Sequence, residues 1–348
     1  EKLVKRGWKI YRSISEAKSY TKIMPKRKKI LVLGVTGQDG SFIAKFLLKK
    51  NVTVHGLVRK SATGNLKNIL EIIKHPKFKI HHGDLLDLIS IQKLIKKIKP
   101  DEIYNFADQD HVRWSFEIPS YSFDVTGSSV VKLLEIIKNN SPKSKFFQPF
   151  SSNIFGDSKR KRQDEKEQFS PLSVYALGKV TSYYACEMYK NIYGMKIYGA
   201  IFYNHESEFR PEEYVTRKIT KAVARIFYGK QKVLKLGDIK SKIDWGYAGD
   251  YVEAAYNIMQ LKKPDFFIIA SGKGYSVEYF VKKCFEYVNL DYKKYTKIDK
   301  KLFRIKKNST LIGNTSKAKR FIKFKNKTSI EKLISIMMEN DLKIEKQI

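Results

Sequence analysis

A short apolar run, Ile30 to Leu33, breaks into a turn spaced by Gly34, Gly37 and Gly40, and the next residues, SFIAKFLLKK, carry apolar side chains at helical spacing. Glycines let the backbone bend sharply and approach a ligand closely, and the first turn of the following helix offers unpaired N–H groups to a pyrophosphate. A strand, such a turn and a helix in this order predict a dinucleotide site. The spacing is G-x-x-G-x-x-G, so the reading rests on its strand and helix context more than on the glycines alone.

Downstream, β-like and helix-like stretches alternate as a doubly wound sheet requires. NVTVHGLVRK reads as the second strand, FKIHHGDLLD as the third, DEIYNFADQDHV as the fourth, SKFFQPFSSNIFG as the fifth and MKIYGAIFYN as the sixth. The expected fold is α/β: a Rossmann-like doubly wound parallel sheet with a smaller α/β C-terminal lobe. The boundaries fall at 1–27 for a basic extension, 28–203 for the dinucleotide domain with strand contributions from further along the chain, and 204–348 for the second domain. Helices are predicted over EYVTRKITKAVARIFYG, DYVEAAYNIMQ, FVKKCFEYV and SIEKLISIMMEN.

At 348 residues the chain is long enough to bury both cores, and no apolar run reaches the length of a membrane span. Cys186 and Cys284 read as reduced core residues, and the scattered histidines lack metal-ligand spacing. Charge is the unusual quantity, with 69 Lys and Arg against 35 Asp and Glu, a net of +34. The extension has only Glu1 and Glu16 against its many cations, residues 292–328 have only Asp299, and a third basic block is Lys159-Arg160-Lys161-Arg162. Three separate patches point to a broad phosphate-binding surface, such as one that contacts RNA.

Ligands in this fold lie beyond the carboxyl ends of the strands, which selects the candidate residues. Arg59, Lys60 and Ser61 follow the second strand, where a basic pair suits a 2′-phosphate, so NADP is expected over NAD. Asp84 and Leu85 follow the third strand, with Asp84 placed to accept from an adenine amine. Gln109 to Arg113, after the fourth, should face cofactor or substrate. Ser151 and Ser152 end the fifth. Tyr175 and Lys179 are four apart on one helix, so both project from the same face. An ammonium beside a phenol favours the phenolate, and the expectation is that Lys179 lowers the proton affinity of Tyr175 toward a value useful for exchange with a sugar hydroxyl.

These motifs in this order resemble the extended short-chain dehydrogenase/reductase superfamily and, within it, the GDP-mannose 4,6-dehydratase family. The resemblance runs from about residue 28 to 345, through GVTGQDGSFIAKFLL, HGLVRKS, HHGDLLD, IYNFADQDHV, YALGK, FYNHES, YVTRKI, DWGYAGDYVEAA, IASGKGYSV and LIGNTSKAK. It implies NADP held by Gly34, Gly37, Gln38, Asp39, Gly40, His205 and Arg210, a nucleotide-activated mannose contacted by Asn204 and Arg304, and dimers or tetramers. It makes Tyr175 the catalytic tyrosine, Lys179 its tuning lysine and Ser151 the hydroxyl partner. The family reaction oxidises the sugar at C4, takes the C5 proton with a glutamate, expels the C6 hydroxyl and returns the hydride.

Several positions depart from the pattern. Asn153 stands where the glutamate belongs, and an amide cannot serve as base and acid near neutrality. Phe209-Arg210 replaces paired arginines that reach a neighbouring subunit's cofactor, Ile243 and Lys307 replace an arginine and a glutamate, and Asp108 and Asp110 replace a small residue and a serine. The expectation is a catalytically retired relative that keeps an NADP-type site and serves as an RNA-contacting, structural subunit among other proteins in a ribonucleoprotein. A mitochondrial ribosome is the concrete candidate. The alternative is an active, cytoplasmic, NADP-dependent sugar-nucleotide oxidoreductase, epimerase or dehydratase acting on a GDP-sugar, forming a homodimer or homotetramer.

Overall fold

The computed structural model describes residues 27–62, 64–303 and 310–347. The basic extension up to residue 26 lies outside them, as do Arg304 and Lys307. In chain order the elements that frame the site are β1 (Lys29–Leu33), α1 (Gln38–Leu48), β2 (Thr53–Val58), β3 (Phe78–His82), α2 (Leu88–Ile98) and β4 (Glu102–Asn105). Then come α3 (Ser129–Asn140), β5 (Lys145–Ser151), α4 (Val174–Tyr193), β6 (Ile197–Phe202), β7 (Asn204–Glu206) and α5 (Val215–Phe227). The remainder is β8 (Leu234–Leu236), β9 (Lys242–Tyr247), α6 (Ala248–Met259), β10 (Phe266–Ile269), β11 (Gly274–Ser276), α7 (Val277–Tyr287), β12 (Thr296–Ile298) and α8 (Ile330–Gln347).

Seven parallel strands form the main sheet in the order β10-β6-β5-β4-β1-β2-β3. Both faces are covered, which is why the strands read as continuous apolar runs. On β1, Ile30 and Val32 pack with Ile43, Leu47, Val252 and Met259 of α1 and α6. Leu31 and Leu33 point the other way, into Ile95, Leu134, Cys186 and Tyr189 of α2, α3 and α4. Chain order reverses between β1 and β4, so the crevice at their carboxyl ends is the switch point where this architecture places ligands. The sheet also draws on the second half of the chain, since β10 pairs with β6. Glu165 covers that edge by accepting the Ile268 N–H at 2.9 Å.

The second lobe contains a three-stranded sheet, β11-β9-β7, and the pair β12-β8. Its core gathers Trp245, Phe280, Phe285, Ile219, Leu333 and Met337. α5 and α8 are joined inside it by Arg217, whose Nη2 lies 2.7 Å from Asp341, and by Thr220, whose hydroxyl donates to the other Asp341 oxygen at 2.7 Å. Asp244, in the DWG segment, accepts N–H groups from Ser271, Gly272 and Gly313 at 2.8, 3.0 and 3.1 Å. That buried carboxylate fastens the loop after β10 and the segment at Gly313 to β9, at the seam between the lobes.

Adjacent strands of the sheet carry an uncharged histidine pair. His55 Nδ1 on β2 and His81 Nε2 on β3 are 2.9 Å apart and the rings stack. One nitrogen must donate and the other accept, so the bond exists only while at least one of the two rings is neutral. Burial, then the proximity of His81, Lys79 and Lys29, pushes His55 down to about 4. The folded form therefore resists a proton that the unfolded chain takes near the ordinary value of 6.5, and stability declines as pH falls from there toward about 4. Allowing for solvent screening, the loss is about 1–2 kcal/mol. Thermal melts from pH 7.5 to 4.5 should show this slope in the native protein and a shallower one in His55→Asn; identical slopes would overturn the assignment.

Candidate functional site

The glycine turn sits at the switch point, and its geometry depends on the missing side chains. Gly34 takes φ +72°, and a Cβ there would lie 2.6 Å from the backbone of Ala107 beyond β4. A Cβ on Gly40 would meet Gly34 O at 2.1 Å. Gly37 donates to Gly34 O at 3.0 Å and starts α1 without any capping side chain, so the helix's first N–H groups are left facing the crevice. This uncapped, close-set cradle fits a dinucleotide pyrophosphate.

Gln38 and Asp39, in the first turn of α1, meet β7. Gln38 donates to His205 O at 3.1 Å and accepts from Ser207 Oγ at 2.7 Å. Asp39 Oδ2 lies 2.8 Å from His205 Nε2, and His205 Nδ1 lies 2.8 Å from Tyr203 O. Both acceptors call for a proton, so the ring is an imidazolium. Burial opposes that charge, but the charge and hydrogen bond of Asp39 outweigh it and hold His205 above its ordinary value. Asp39 is buried too, yet His205 keeps it below the usual carboxylate range. The structure brings Gln38, Asp39 and His205 together as a brace between the lobes, directly behind the cradle.

At the far end of the crevice, Arg59, Lys60 and Ser61 lie exposed beyond β2, with Arg59 Nη1 donating to Tyr121 Oη at 2.9 Å. Asp84 follows β3 and accepts the Leu86 N–H at 2.9 Å, while Leu85 turns into the core.

The reacting groups converge where β5 ends. Ser173 caps α4 by accepting the Ala176 N–H at 3.1 Å, which orients the helix that carries Tyr175 and Lys179. Tyr175 is 6% exposed, and Ser151 at the end of β5 acts on its phenol. Ser151 Oγ also accepts from the Asn153 backbone N–H at 3.2 Å and from Asn153 Nδ2 at 3.1 Å. Lys179 Nζ donates to Pro149 O at 2.9 Å and lies 5.8 Å from the Tyr175 ring centre.

The expected effect of Lys179 on Tyr175 is corrected by the structure. Asp108 Oδ2 is 2.7 Å from Lys179 Nζ, deep under α4, so the ammonium is already neutralised by a carboxylate. Thr126 Oγ1 and the Gln109 N–H hold the other Asp108 oxygen at 2.7 and 2.8 Å. Burial and the charges of Asp108 and Asp110 push the Tyr175 phenol well above its ordinary value, against the weaker opposing influence of Ser151 and Arg210. Sequence reading marked Asp108 only as a departure and missed Thr126. The signal available was Gly178 inside YALGK, where a Cβ would come within 3.0 Å of the Thr126 side chain, so the two segments touch.

Arg210 closes the mouth of the site from below. Its Nη1 lies 3.3 Å from Asp110, its Nε 3.3 Å from Glu206, and its guanidinium rests 3.5 Å over the Tyr214 ring. Within this chain Arg210 is thus turned into its own site. Phe209 packs on Phe42, and Asn204 begins β7 opposite Trp245. The 109–113 segment divides: Gln109 is buried against His111 backbone, Asp110 and His111 face Arg210 and Tyr214, and Arg113 pairs with Glu117 at 3.3 Å. Gln109 and Arg113, at the two ends of the segment expected to face ligand, are thus engaged by partners within the chain.

The basic block is less cationic than its letters suggest. Lys159 pairs with Asp157 at 3.1 Å, and Arg160 with Glu167 at 2.9 Å.

A seven-stranded parallel sheet with a glycine cradle at its switch point, and a Ser, Tyr and Lys grouped at the end of β5, define a nucleotide-sugar epimerase or dehydratase type of fold. Solved structures agree: dTDP-glucose 4,6-dehydratase from Bacillus anthracis in complex with NAD superposes with TM-score 0.80 at 21% identity, covering 92% of this chain and 98% of that one. RMD from Pseudomonas aeruginosa complexed with NADPH gives TM-score 0.76 at 16% identity, covering 91% and 99%. The family model for GDP-mannose 4,6 dehydratase matches residues 31–337, and the chain belongs to that family. GDP-mannose 4,6 dehydratase 2 of Arabidopsis thaliana is 40% identical over 345 residues, covering 96% of this chain and 92% of the relative. The GDP-mannose 4,6 dehydratase of Homo sapiens is 34% identical, covering 91% and 92%.

Proposed function

We propose that this chain is an active NADP-dependent oxidoreductase that exchanges hydride with the sugar of a GDP-sugar, GDP-mannose in the first instance. The observation that carries the reading is the Ser151–Tyr175–Lys179 group, assembled at the end of β5 beside an intact glycine cradle. A retired ribonucleoprotein subunit is the weaker reading. One of its basic patches is partly neutralised within the fold, and the matched relatives carry enzyme names along nearly their whole length.

In this reading the N–H groups of the cradle hold the pyrophosphate, and Arg59 and Lys60 meet the 2′-phosphate. The bound nicotinamide supplies the site's hydride acceptor and donor. Tyr175 moves a proton to or from the oxygen on the reacting carbon, with Ser151 holding that oxygen. Asn153 supplies no base for the elimination step, so hydride exchange outpaces loss of water.

The test is incubation of the full-length protein with NADP and GDP-mannose, followed by absorbance of reduced cofactor and mass spectrometry of the sugar nucleotide. Reduced cofactor with an oxidised sugar, ahead of any dehydrated product, is expected; an unchanged sugar nucleotide with cofactor bound would sink the reading. The cofactor preference has its own check. Exchanging Arg59 for Asp should weaken NADP binding by roughly tenfold or more, the worth of a charge-assisted contact, and leave NAD binding unchanged or improved. Equal losses for both cofactors in a titration would remove Arg59 from that role.

A further inference from the structure

Lys179 is a buried cation at the heart of the catalytic centre, and its charge partner is a residue with no role in the reading above. An ammonium has three donors. One goes to Pro149 O, and Asp108 Oδ2 lies 2.7 Å from the nitrogen as its ion-pair partner. Asp108 is itself fixed: its second oxygen is held by Thr126 and by the Gln109 N–H, and its side chain is 14% exposed. A pair this buried and this well bonded does not open without stranding a charge.

We propose that Asp108 is a positioning residue that, by holding Lys179 in a buried ion pair, keeps Tyr175 a proton-bearing phenol and suits the site to donating a proton to a carbonyl oxygen. The inference rests on the oxidoreductase reading and names the half-reaction the resting site is prepared for, reduction of a keto-sugar. In that direction the C=O π bond opens as hydride from the reduced nicotinamide reaches the carbon, the Tyr175 O–H bond breaks and its proton bonds the oxygen. The product is a hydroxyl, the cofactor is oxidised, and the phenolate regains a proton from water. Oxidation of a hydroxyl needs Tyr175 ionised first.

The charged and titratable groups around Tyr175 agree on the direction. Asp108 and Asp110 approach from the loop after β4, Arg210 and Tyr214 from the segment after β7, and Lys179 from its own helix. Both cations are paired: Arg210 with Glu206 and Asp110, Lys179 with Asp108. No unneutralised positive charge among these groups favours the phenolate.

The experiment uses the full-length, NADP-loaded protein and two readouts. The first is the ultraviolet phenolate titration of the native protein minus that of Tyr175→Phe, which isolates one tyrosine. Native Tyr175 should remain un-ionised through the ordinary phenol range, whereas in Asp108→Asn its ionisation should begin roughly one pH unit or more lower, since each tenfold change in the equilibrium is one unit. The second is the pH profile in both directions. Reduction should be flat up to alkaline pH, while oxidation climbs with pH; in Asp108→Asn the climb should move down by a similar interval, raising oxidation near pH 7.5 by about tenfold. Ionisation of native Tyr175 at or below the ordinary phenol range overturns the proposal, as do superimposable profiles for the two proteins. The native difference titration decides the matter even if Asp108→Asn does not fold. Absence of turnover with any GDP-sugar would defeat the oxidoreductase reading and leave the phenol titration to judge Asp108 by itself.

Discussion

Tyr175→Phe is expected to lower turnover of GDP-mannose by about 10²–10⁴-fold, with NADP affinity and melting temperature close to native. The change removes one hydroxyl from a side chain that is otherwise packed at the start of α4, so the ring still fills its place. What disappears is the group that can pass a proton to the reacting oxygen. Ser151 keeps the bonds it accepts from Asn153 at 3.1 and 3.2 Å, which limits the structural cost of the change. Steady-state rates with cofactor titrations and thermal melts, run on both proteins, separate the two effects. A loss in rate matched by a loss in stability would mean that Tyr175 is a packing residue; near-native turnover would place the proton transfer elsewhere.

How much of this was legible before the structure follows from which signals are local. The strand, glycine turn and helix from Lys29 to Leu48 carry their own periodicity and their own backbone demands, so the cradle could be read directly. Tyr175 and Lys179 are one helical turn apart and needed no tertiary information to be placed on one face. Their chemistry was not legible in the same way. The sign of the interaction at Tyr175 depends on Asp108, which arrives from a different strand and is held there by Thr126; no spacing rule links those three positions. The same holds for the basic patches. Lysine and arginine counts record gross charge, whereas the field outside the protein depends on which cations find a carboxylate, as Lys159 and Arg160 do. The pair β8 and β12, three residues each, is too short for any periodic signal and forms because Leu234 and Leu236 have a core to enter. His55 and His81 lie on strands that were read correctly, but their contact is a matter of register, fixed only when Leu57 comes opposite His81.

The Asn153 position offers the sharpest gain-of-function expectation. The resemblance places a carboxylate there, and Asn153 in this chain begins the turn after β5 with its amide donating to Ser151. A neutral amide can hold that hydroxyl but cannot accept a proton from carbon. In Asn153→Glu the interaction reverses its sense: Ser151 donates to the carboxylate, and a base stands within a side chain's reach of the oxygen that Tyr175 serves. The new charge joins Asp108 and Asp110, two carboxylates that already act on Tyr175, and this crowding raises the proton affinity of the introduced glutamate toward the range useful for general base catalysis. Arg210, on the same side of the site, tempers the repulsion. The expected result is loss of water from GDP-mannose faster by about 10²–10³-fold than in the native protein, read by mass spectrometry of the dehydrated sugar nucleotide, with hydride exchange little changed. Asn153→Gln is the control, since it lengthens the side chain without supplying a base and should leave dehydration at the native rate. Equal dehydration by the Glu and Gln variants, or a native protein that already eliminates water as fast as it exchanges hydride, would show that a carboxylate other than residue 153 takes the proton, and Asp110, paired with Arg210 at the mouth of the site, would then be the group to replace.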